Sequence, residues 1–224
     1  MKKEELGKYI DHTLLKADVS EKEIEVLCKE AIKYGFKSVC INPCFVSKAK
    51  EILEGTRVEI CTVIGFPLGS TTSNVKAYET SDAIRGGATE IDMVINISKL
   101  KDKDYDYVLN DIKSVVSHAK GKAIVKVIIE TALLTDEQKK KAVEIAKEAG
   151  ADFVKTSTGF SSGGATIDDV RLMVKASQGR MMVKASGGIK GYDDAVAMID
   201  AGADRIGTSN SLKIIGVSNQ EGSY

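Results

Sequence analysis

The sequence has few histidines, no excess of either charge and no long apolar run. Only His12 and His118 occur among 224 residues, which argues against an enzyme with a histidine-ligated metal. Basic and acidic residues both total 32, so no overall field favours nucleic acid or an anionic membrane. No apolar stretch approaches the roughly 18 residues of a membrane span, and residues 1–5 show no signal-peptide pattern. We therefore expect a cytoplasmic protein with neither nucleic acid nor membrane as a partner.

Cysteine is also scarce and poorly grouped. The four cysteines lie at positions 28, 40, 44 and 61, and only Cys40 and Cys44 are close in sequence. No second pair stands at a spacing that would complete a zinc site. The pattern predicts reduced thiols rather than disulfides or a metal centre.

A repeated unit of amphipathic helix, glycine, short apolar strand and polar loop runs through the chain. Near-continuous apolar runs are typical of parallel strands covered by helices. The pattern predicts eight strands, at about 9–14, 38–42, 59–65, 90–96, 124–129, 153–156, 181–185 and 205–207. Glycines at 35, 87, 150 and 202 stand where helices need a left-handed terminating residue.

Helix starts are marked by capping sequences. Ser20-x-x-Glu23, Thr135-x-x-Gln138 and Thr166-x-x-Asp169 each precede an apolar helical pattern. Further helices are predicted at about 45–54, 72–85, 104–119 and 192–201. Eight strand–helix units without a dividing linker predict one (β/α)8 TIM barrel domain over 1–224. The alternative is an open doubly wound sheet, but no G-x-G-x-x-G sequence follows the first strand.

Three predicted strands carry a lysine at a constant spacing of 29 residues: Lys126, Lys155 and Lys184. If each points inward, three amines share one apolar interior. Like charges and burial both lower the pKa of an ammonium group. A lysine in that setting can be neutral enough to attack a carbonyl carbon. The pattern alone does not choose among the three lysines.

A carboxylate, Asp92, interrupts another apolar strand, where it shares a face with Glu90 and Val94. It could pair with a buried lysine as a purely structural ion pair, or it could transfer protons. Both interpretations require the same geometry, so both remain open at this point.

Glycine-rich loops follow the last two strands, at 187–188 and at 207–211. In barrels of this kind the loops after the seventh and eighth strands often bind phosphate through backbone N–H groups. Gly163-Gly164 instead resembles a flexible turn before Thr166. Together, these features predict a Schiff-base enzyme that acts on a small phosphorylated carbonyl compound.

Eight motifs in one order then resemble the deoxyribose-phosphate aldolase family. They are IDHTLL at 10–15, VCINP at 39–43, VIGFPLG at 63–69, EIDMVIN at 90–96, KVIIET at 126–131, FVKTSTGF at 153–160, VKASGGI at 183–189 and RIGTS at 205–209. The resemblance implies reversible cleavage of 2-deoxy-D-ribose 5-phosphate to acetaldehyde and D-glyceraldehyde 3-phosphate in deoxyribonucleoside catabolism, without metal or organic cofactor.

The same resemblance assigns roles to individual residues. It makes Lys155 the Schiff-base lysine, Lys184 the lysine that lowers the pKa of Lys155, and Asp92 the proton carrier. Other positions match substrate-contacting and phosphate-binding residues of the family: Asp11, Thr13, Cys40, Thr158, Gly159, Gly187, Gly188, Gly207 and Ser209. We assign Glu130, which lies on the strand of Lys126, no catalytic role and expect it to tune that lysine or to close the barrel.

The chain departs from the family pattern near the phosphate site. Phe160 and Lys190 replace a lysine and an arginine, and Asn210 replaces a serine. A polar tail at about 217–224, expected to be mobile, ends at Tyr224, where some family members use a mobile tyrosine. Family members are commonly dimers or tetramers. The alternatives are another lysine Schiff-base barrel enzyme, such as a transaldolase or a thiolase-like relative, and a non-catalytic phosphosugar-binding barrel.

Overall fold

Eight parallel strands form a closed barrel in the computed structural model, which describes residues 3–218. The strands are β1 Ile10–Leu14, β2 Ser38–Ile41, β3 Glu59–Ile64, β4 Glu90–Val94, β5 Ile124–Ile128, β6 Phe153–Lys155, β7 Met182–Ser186 and β8 Arg205–Thr208. Each strand pairs with the next, and β1 also pairs with β8, which closes the ring. The predicted (β/α)8 barrel is confirmed, and the open-sheet alternative is wrong.

Helices surround the barrel and follow the strands in chain order. They are α1 Lys3–Leu6, α2 Glu21–Tyr34, α3 Val46–Leu53, α4 Ser73–Gly86, α5 Ile97–Lys101, α6 Tyr105–Ala119, α7 Asp136–Glu148, α8 Ile167–Ser177, α9 Tyr192–Asp200 and α10 Ser211–Ile214. Single 3₁₀ turns occupy Gly7–Tyr9, Pro43–Phe45 and Thr131–Leu133. No helix within residues 3–218 is long and apolar enough to cross a membrane.

The predicted caps form at the helix ends. Ser20 and Thr135 each make a complete capping box. The Thr166 side chain accepts from the Asp169 N–H, but the reciprocal bond from the Thr166 N–H to the Asp169 side chain does not form. Gly35 and Gly87 terminate α2 and α4 with φ of 65° and 114°. These local signals set the helix limits and so determine where each strand begins.

The side chains of each strand alternate between two environments. Outward residues such as Val39 and Ile41 belong to the large apolar core between barrel and helices. Inward residues divide the barrel interior into a charged part and a smaller apolar patch. That patch contains Leu15, Cys40, Cys61 and Val63, with Phe66 packed against it.

Chain beyond Ser218 lies outside the described residues, and with it Tyr224 and most of the predicted tail. Val217 and Ser218 follow α10, and both of their backbone N–H groups donate to the Leu212 carbonyl.

Candidate active site

One carboxylate, Asp92 on β4, lies at the centre of the charged interior. Its Oδ2 accepts hydrogen bonds from Lys155 Nζ at 2.8 Å and from Lys184 Nζ at 2.7 Å. Its Oδ1 accepts from Lys126 Nζ at 2.8 Å and from the Cys61 thiol at 3.1 Å. The three lysines predicted to share one interior therefore all contact the same side chain.

The three lysines do not lie at the same height in the barrel. Lys155 is the strand-register partner of Lys184, whereas Lys126 is the partner of Phe153, two residues nearer the amino end of β6. The equal spacing predicted equivalent positions, but strands in a closed barrel are staggered by its shear. Lys126 lies lower, where its Nζ contacts Glu90 Oε2 at 2.6 Å.

A second carboxylate, Asp11 on β1, extends this cluster. Its Oδ2 lies 2.5 Å from Lys184 Nζ, and its Oδ1 accepts from Arg205 Nε at 2.8 Å. Arg205 also binds Glu90 through Nη2 at 2.7 Å. We define the charged cluster as three carboxylates and four cations: Asp11, Glu90, Asp92, Lys126, Lys155, Lys184 and Arg205.

The sequence expectation that the inward lysines have lowered pKa values is wrong for Lys126 and Lys184. Burial alone lowers the pKa of Lys184, but the charges of Asp11 and Asp92 outweigh it and raise that pKa. Burial is likewise outweighed at Lys126, whose pKa is raised chiefly by Asp92. The prediction counted the lysines and omitted the carboxylates that join them in space.

The pKa values of the carboxyl groups Asp92 and Asp11 are lowered, whereas those of Lys126 and Lys184 are raised. Burial disfavours the ionised form of Asp92, but the charges of its three lysine neighbours hold its pKa well below the usual range. The pKa of Asp11 is lowered in the same way against burial, first by Lys184 and then by Arg205. Both side chains are therefore carboxylates, and Lys184 is an ammonium group, at neutral pH.

Lys155 differs from the other two lysines in its surroundings. Its Nζ has one carboxylate neighbour in the described structure, whereas Lys184 and Lys126 have two and three. Lys155 ends β6 and is 3% exposed, while Lys126 and Lys184 are 0% exposed. It is thus the lysine of the cluster that a molecule at the carboxyl end of the barrel can reach.

The residues expected to contact substrate lie around this end of the barrel. Thr13 and Cys40 are buried on β1 and β2, and their register makes them neighbours. Thr13 Oγ1 donates to the Asp11 carbonyl at 2.9 Å. Thr158 is also buried, but its hydroxyl donates to Glu130 Oε2 and accepts from the Phe160 N–H at 3.0 Å. That hydroxyl therefore holds the loop together.

Glu130 was expected to tune Lys126 or to close the barrel, but its hydrogen bonds are made to Thr158. Its Oε2 accepts from both the N–H and the hydroxyl of Thr158, at 3.2 Å and 2.5 Å. Its backbone has a φ of 55°, which is uncommon for a residue with a side chain and costs free energy. Glu130 thus positions the loop after β6, a role that sequence spacing did not indicate.

Backbone groups suited to an anion lie after β6 and β7. Gly159, Gly187 and Gly188 have φ of 87°, 83° and 76°, a region that favours glycine. Gly164, expected to be a flexible turn, instead packs on this loop, because a Cβ there would lie 2.3 Å from the Gly187 carbonyl oxygen. The glycine is needed for close packing.

Gly207 on β8 and Ser209 just after it belong to the same end of the barrel as the glycine loops. A Cβ on Gly207 would lie 3.0 Å from Lys184 Cε, so this glycine leaves room for the lysine side chain. Ser209 Oγ is buried and has no hydrogen-bond partner among residues 3–218, and the same holds for Ser157 Oγ after β6. Two buried hydroxyls, one after β6 and one after β8, are therefore available to bind a ligand. Ser157 was not predicted as a site residue.

The three departures from the family pattern have different environments. Phe160 packs edge-on against Phe66, with ring centroids 5.3 Å apart. Lys190 is exposed, and its backbone N–H donates to Asp194. Asn210 is buried, and its N–H donates to Thr208 Oγ1.

Two groups in the charged interior have metal-ligand spacing. Cys40, Cys61 and Asp92 form one group, and Asp11, Cys61 and Glu90 form the other, each with ligand atoms within 4.8 Å. Every carboxylate in these groups already contacts an ammonium or guanidinium group. A metal cation would meet those positive charges, so the residues fit a metal poorly.

A separate cleft lies at the opposite end of the barrel. It has a volume of about 970 Å³ and is lined by residues preceding β6 and β7, among them Asp152 and Arg180. The residues that line this cleft include no buried lysine and no carboxylate of the charged cluster.

The closed (β/α)8 barrel with a buried charged cluster in its interior defines the protein as a TIM-barrel enzyme. The model for the DeoC/LacD family aldolases matches residues 6–218, and the chain belongs to that family.

Curated relatives and a solved structure agree with this assignment. The chain is 60% identical to a Finegoldia magna protein over 94% of its length and 99% of the relative's, and 59% identical to an Enterococcus faecalis protein over 97% and 99%. Both relatives are named deoxyribose-phosphate aldolase. The tetrameric deoxyribose phosphate aldolase of Aeropyrum pernix superposes with a TM-score of 0.90 at 38% identity, covering 96% of this chain and 91% of that one.

Replacing Asp11 by asparagine is expected to lower the free energy of unfolding by about 3–5 kcal/mol, because Lys184 and Arg205 would lose a buried partner. Asp18→Asn, an exposed carboxylate change, is the control and should alter stability by less than about 0.5 kcal/mol. Urea denaturation at pH 7 measures both. Equal stability of the Asp11 variant and the wild type would contradict the role of Asp11 in the cluster.

The Asp11 effect should also depend on pH. A carboxyl group with a lowered native pKa contributes stability above its unfolded pKa of about 3.9 and loses it as the pH falls further. The difference between wild type and Asp11→Asn should therefore shrink below about pH 4. A constant difference from pH 7 to pH 3 would contradict the lowered pKa.

Proposed function

We propose that the protein is a class I aldolase that reversibly cleaves 2-deoxy-D-ribose 5-phosphate to acetaldehyde and D-glyceraldehyde 3-phosphate, with Lys155 as the Schiff-base residue. Relatives named for this activity, at about 60% identity along nearly the whole chain, support the reaction. The main structural support for the mechanism is the contact between Lys155 Nζ and Asp92 Oδ2, which lie 2.8 Å apart.

The surroundings of Lys155 support it over its two neighbours. Its Nζ has one carboxylate neighbour, against two for Lys184 and three for Lys126. Its side chain is also the least buried of the three. The neutral amine of Lys155 is the form that attacks a carbonyl carbon, and Lys184 places an ammonium charge beside it.

The first half of the reaction forms the imine. The amine of Lys155 attacks the C1 carbonyl carbon, and a proton moves to the oxygen to give a carbinolamine. Loss of water then gives a protonated imine. Asp92 Oδ2 contacts Lys155 and Lys184 at once, so a proton can pass between the two lysines through this oxygen.

The second half breaks the C2–C3 bond. The C3 hydroxyl loses its proton to a basic group, and the C2–C3 electron pair moves toward the imine nitrogen. D-glyceraldehyde 3-phosphate leaves, and an enamine remains on Lys155. Protonation at C2 and addition of water release acetaldehyde and restore the amine. We assign the proton transfers to Asp92 together with Lys184.

The proposed phosphate site consists of backbone N–H groups and one hydroxyl. Gly159, Gly187 and Gly188 allow close approach of the backbone to an anion, and Ser209 Oγ is buried without a partner in the described chain. Gly207 also belongs to this region, and it leaves space for Lys184. Asp11, Thr13, Cys40 and Thr158 surround the carbon chain of the substrate in this proposal.

We further propose that the chain acts without a metal or organic cofactor, as a homodimer or homotetramer in the cytoplasm. The tetrameric A. pernix relative supports an oligomer, and light scattering would give the number of subunits. All four cysteines carry free thiols, which is consistent with a reducing compartment.

A donor assay tests the proposed reaction against a transaldolase or thiolase-like activity. The purified protein should condense acetaldehyde with D-glyceraldehyde 3-phosphate and should show no comparable rate with dihydroxyacetone phosphate as donor. Product formation is followed by chromatography of the sugar phosphates. A preference for dihydroxyacetone phosphate would contradict the proposal, and binding without turnover would indicate a non-catalytic barrel.

Replacing Glu130 by glutamine is expected to raise KM for 2-deoxy-D-ribose 5-phosphate about tenfold with a smaller effect on kcat, because the loop after β6 loses a charge-assisted bond. Steady-state kinetics measure KM and kcat separately.

Two Thr158 variants serve as matched controls for the Glu130 variant. Thr158→Val should reproduce the KM effect, while Thr158→Ser retains the hydroxyl and should remain close to wild type. An unchanged KM in both Glu130→Gln and Thr158→Val would contradict the positioning role.

A further inference from the structure

Two thiols face each other in the barrel interior. Cys40 on β2 and Cys61 on β3 are strand-register partners, and both side chains are fully buried in the apolar patch. Their Sγ atoms lie within 4.8 Å of one another and of an Asp92 carboxylate oxygen. The mechanism proposed above gives Cys61 no function.

The backbone geometry permits a bond between these sulfurs. Neighbouring strands lie about 4.8 Å apart, and a disulfide spans Cα atoms about 4.4–6.8 Å apart. Because both side chains point to the inner face, the sulfurs can meet without reversing either strand. Cys28 is buried alone between strand and helix, and Cys44 is exposed on a helical turn.

The two thiols differ in reactivity. The adjacent Cys61 sulfur and the nearby charges of Lys184 and Lys155 lower the pKa of the Cys40 thiol despite its burial. Burial, followed by the adjacent Cys40 sulfur and the charge of Asp92, raises the pKa of Cys61. Burial also raises the pKa of Cys28, to about 11. Among the four cysteines, Cys40 is therefore the best placed to react as a thiolate, with Cys61 beside it.

We propose that Cys40 and Cys61 form a peroxide-sensitive dithiol site, and that its oxidation to a disulfide inactivates the adjacent charged cluster. Hydrogen peroxide is the oxidant. The Cys40 thiolate attacks one peroxide oxygen, the O–O bond breaks, and the other oxygen leaves as water after taking a proton. Cys61 then attacks the Cys40 sulfenic acid, the S–S bond forms, and the hydroxyl leaves with the Cys61 proton as a second water.

The disulfide would change the surroundings of Asp92 directly. The Cys61 thiol donates to Asp92 Oδ1 at 3.1 Å, and Lys126 Nζ donates to the Cys61 sulfur at 3.3 Å. Oxidation removes the S–H donor and draws the sulfur toward β2. Cys40 also lies on the wall of the proposed substrate cavity, and so both the proton carrier and the cavity shape change.

Peroxide treatment of the reduced full-length protein tests the site. The expected product is a Cys40–Cys61 disulfide, found by digestion and mass spectrometry as joined peptides lighter by two hydrogens. Aldolase activity should fall in step with this product and return with dithiothreitol. The activity readout rests on the proposed function, whereas the mass readout does not.

Cysteine variants provide the controls. Cys44→Ser and Cys28→Ser should retain both disulfide formation and reversible inactivation. Cys61→Ala should lose the disulfide, and peroxide should then oxidise Cys40 to acids that dithiothreitol does not restore. Free Cys40 and Cys61 after peroxide, a disulfide involving Cys44, or full activity of the disulfide form would each overturn the proposal.

Discussion

Alanine in place of Lys155 is expected to lower kcat by about 10⁴-fold or more, to the limit of detection. The amine is the proposed nucleophile, and no other group can form the imine at the same place. Lys184 and Lys126 remain in this variant, but each has more carboxylate neighbours and is less exposed. The cleavage rate of 2-deoxy-D-ribose 5-phosphate measures the effect.

Controls separate this loss from damage to the fold. Lys155→Arg retains the positive charge beside Asp92 but has no amine able to form an imine, so it should also be inactive. Lys140→Ala changes an exposed lysine on α7 and should leave kcat unchanged. Substantial turnover by Lys155→Ala would transfer the nucleophile role to another lysine.

The second large effect is expected at Asp92. Asparagine at this position should lower kcat by about 10²- to 10⁴-fold, because it removes the carboxylate oxygen that joins Lys155 to Lys184. Exchange of deuterium from solvent into the methyl group of acetaldehyde isolates the protonation at C2. This exchange, followed by NMR, should slow in proportion to kcat.

Lys184→Ala provides the matched comparison, because it removes the other partner of the same oxygen. Its kcat should also fall by orders of magnitude, and the double variant should lose little more than the worse single variant. Near-wild-type exchange in Asp92→Asn would show that Asp92 carries no proton. Asp92 would then be a structural ion-pair partner, the alternative that its position in the strand left open.

The strands and the inward lysines could be predicted because they depend on local patterns. Apolar runs, capping boxes and terminating glycines each involve a few adjacent residues, and the structure has all eight strands within a few residues of the predicted limits. Alternation along a strand gave the residues that share a face with Lys155 and with Asp92, and the inward direction of the lysines was a condition of the prediction. The closed barrel supplies that condition and brings Asp92 and the lysines together.

The ion pairs of the charged cluster, and the pKa directions that they cause, could not be predicted in the same way. Asp11, Glu90 and Arg205 belong to strands far apart in sequence, and their contacts with the lysines depend on barrel stagger. Strand alternation gives the face of a side chain but not its height, so Lys126 was placed level with Lys155. The bond between Glu130 and Thr158 joins two loops, and no periodic pattern indicates such a pair.

Reductive trapping with acetaldehyde tests the central claim most directly. The protein is incubated with acetaldehyde and borohydride, digested, and analysed by mass spectrometry, with Lys155→Arg treated in parallel. We predict that one ethyl group is added to Lys155 in step with irreversible loss of activity, and that the variant peptide is unmodified. An unmodified Lys155 peptide in the inactivated wild-type protein, or the ethyl group on Lys184 or Lys126, would contradict the assignment of Lys155 as the Schiff-base residue.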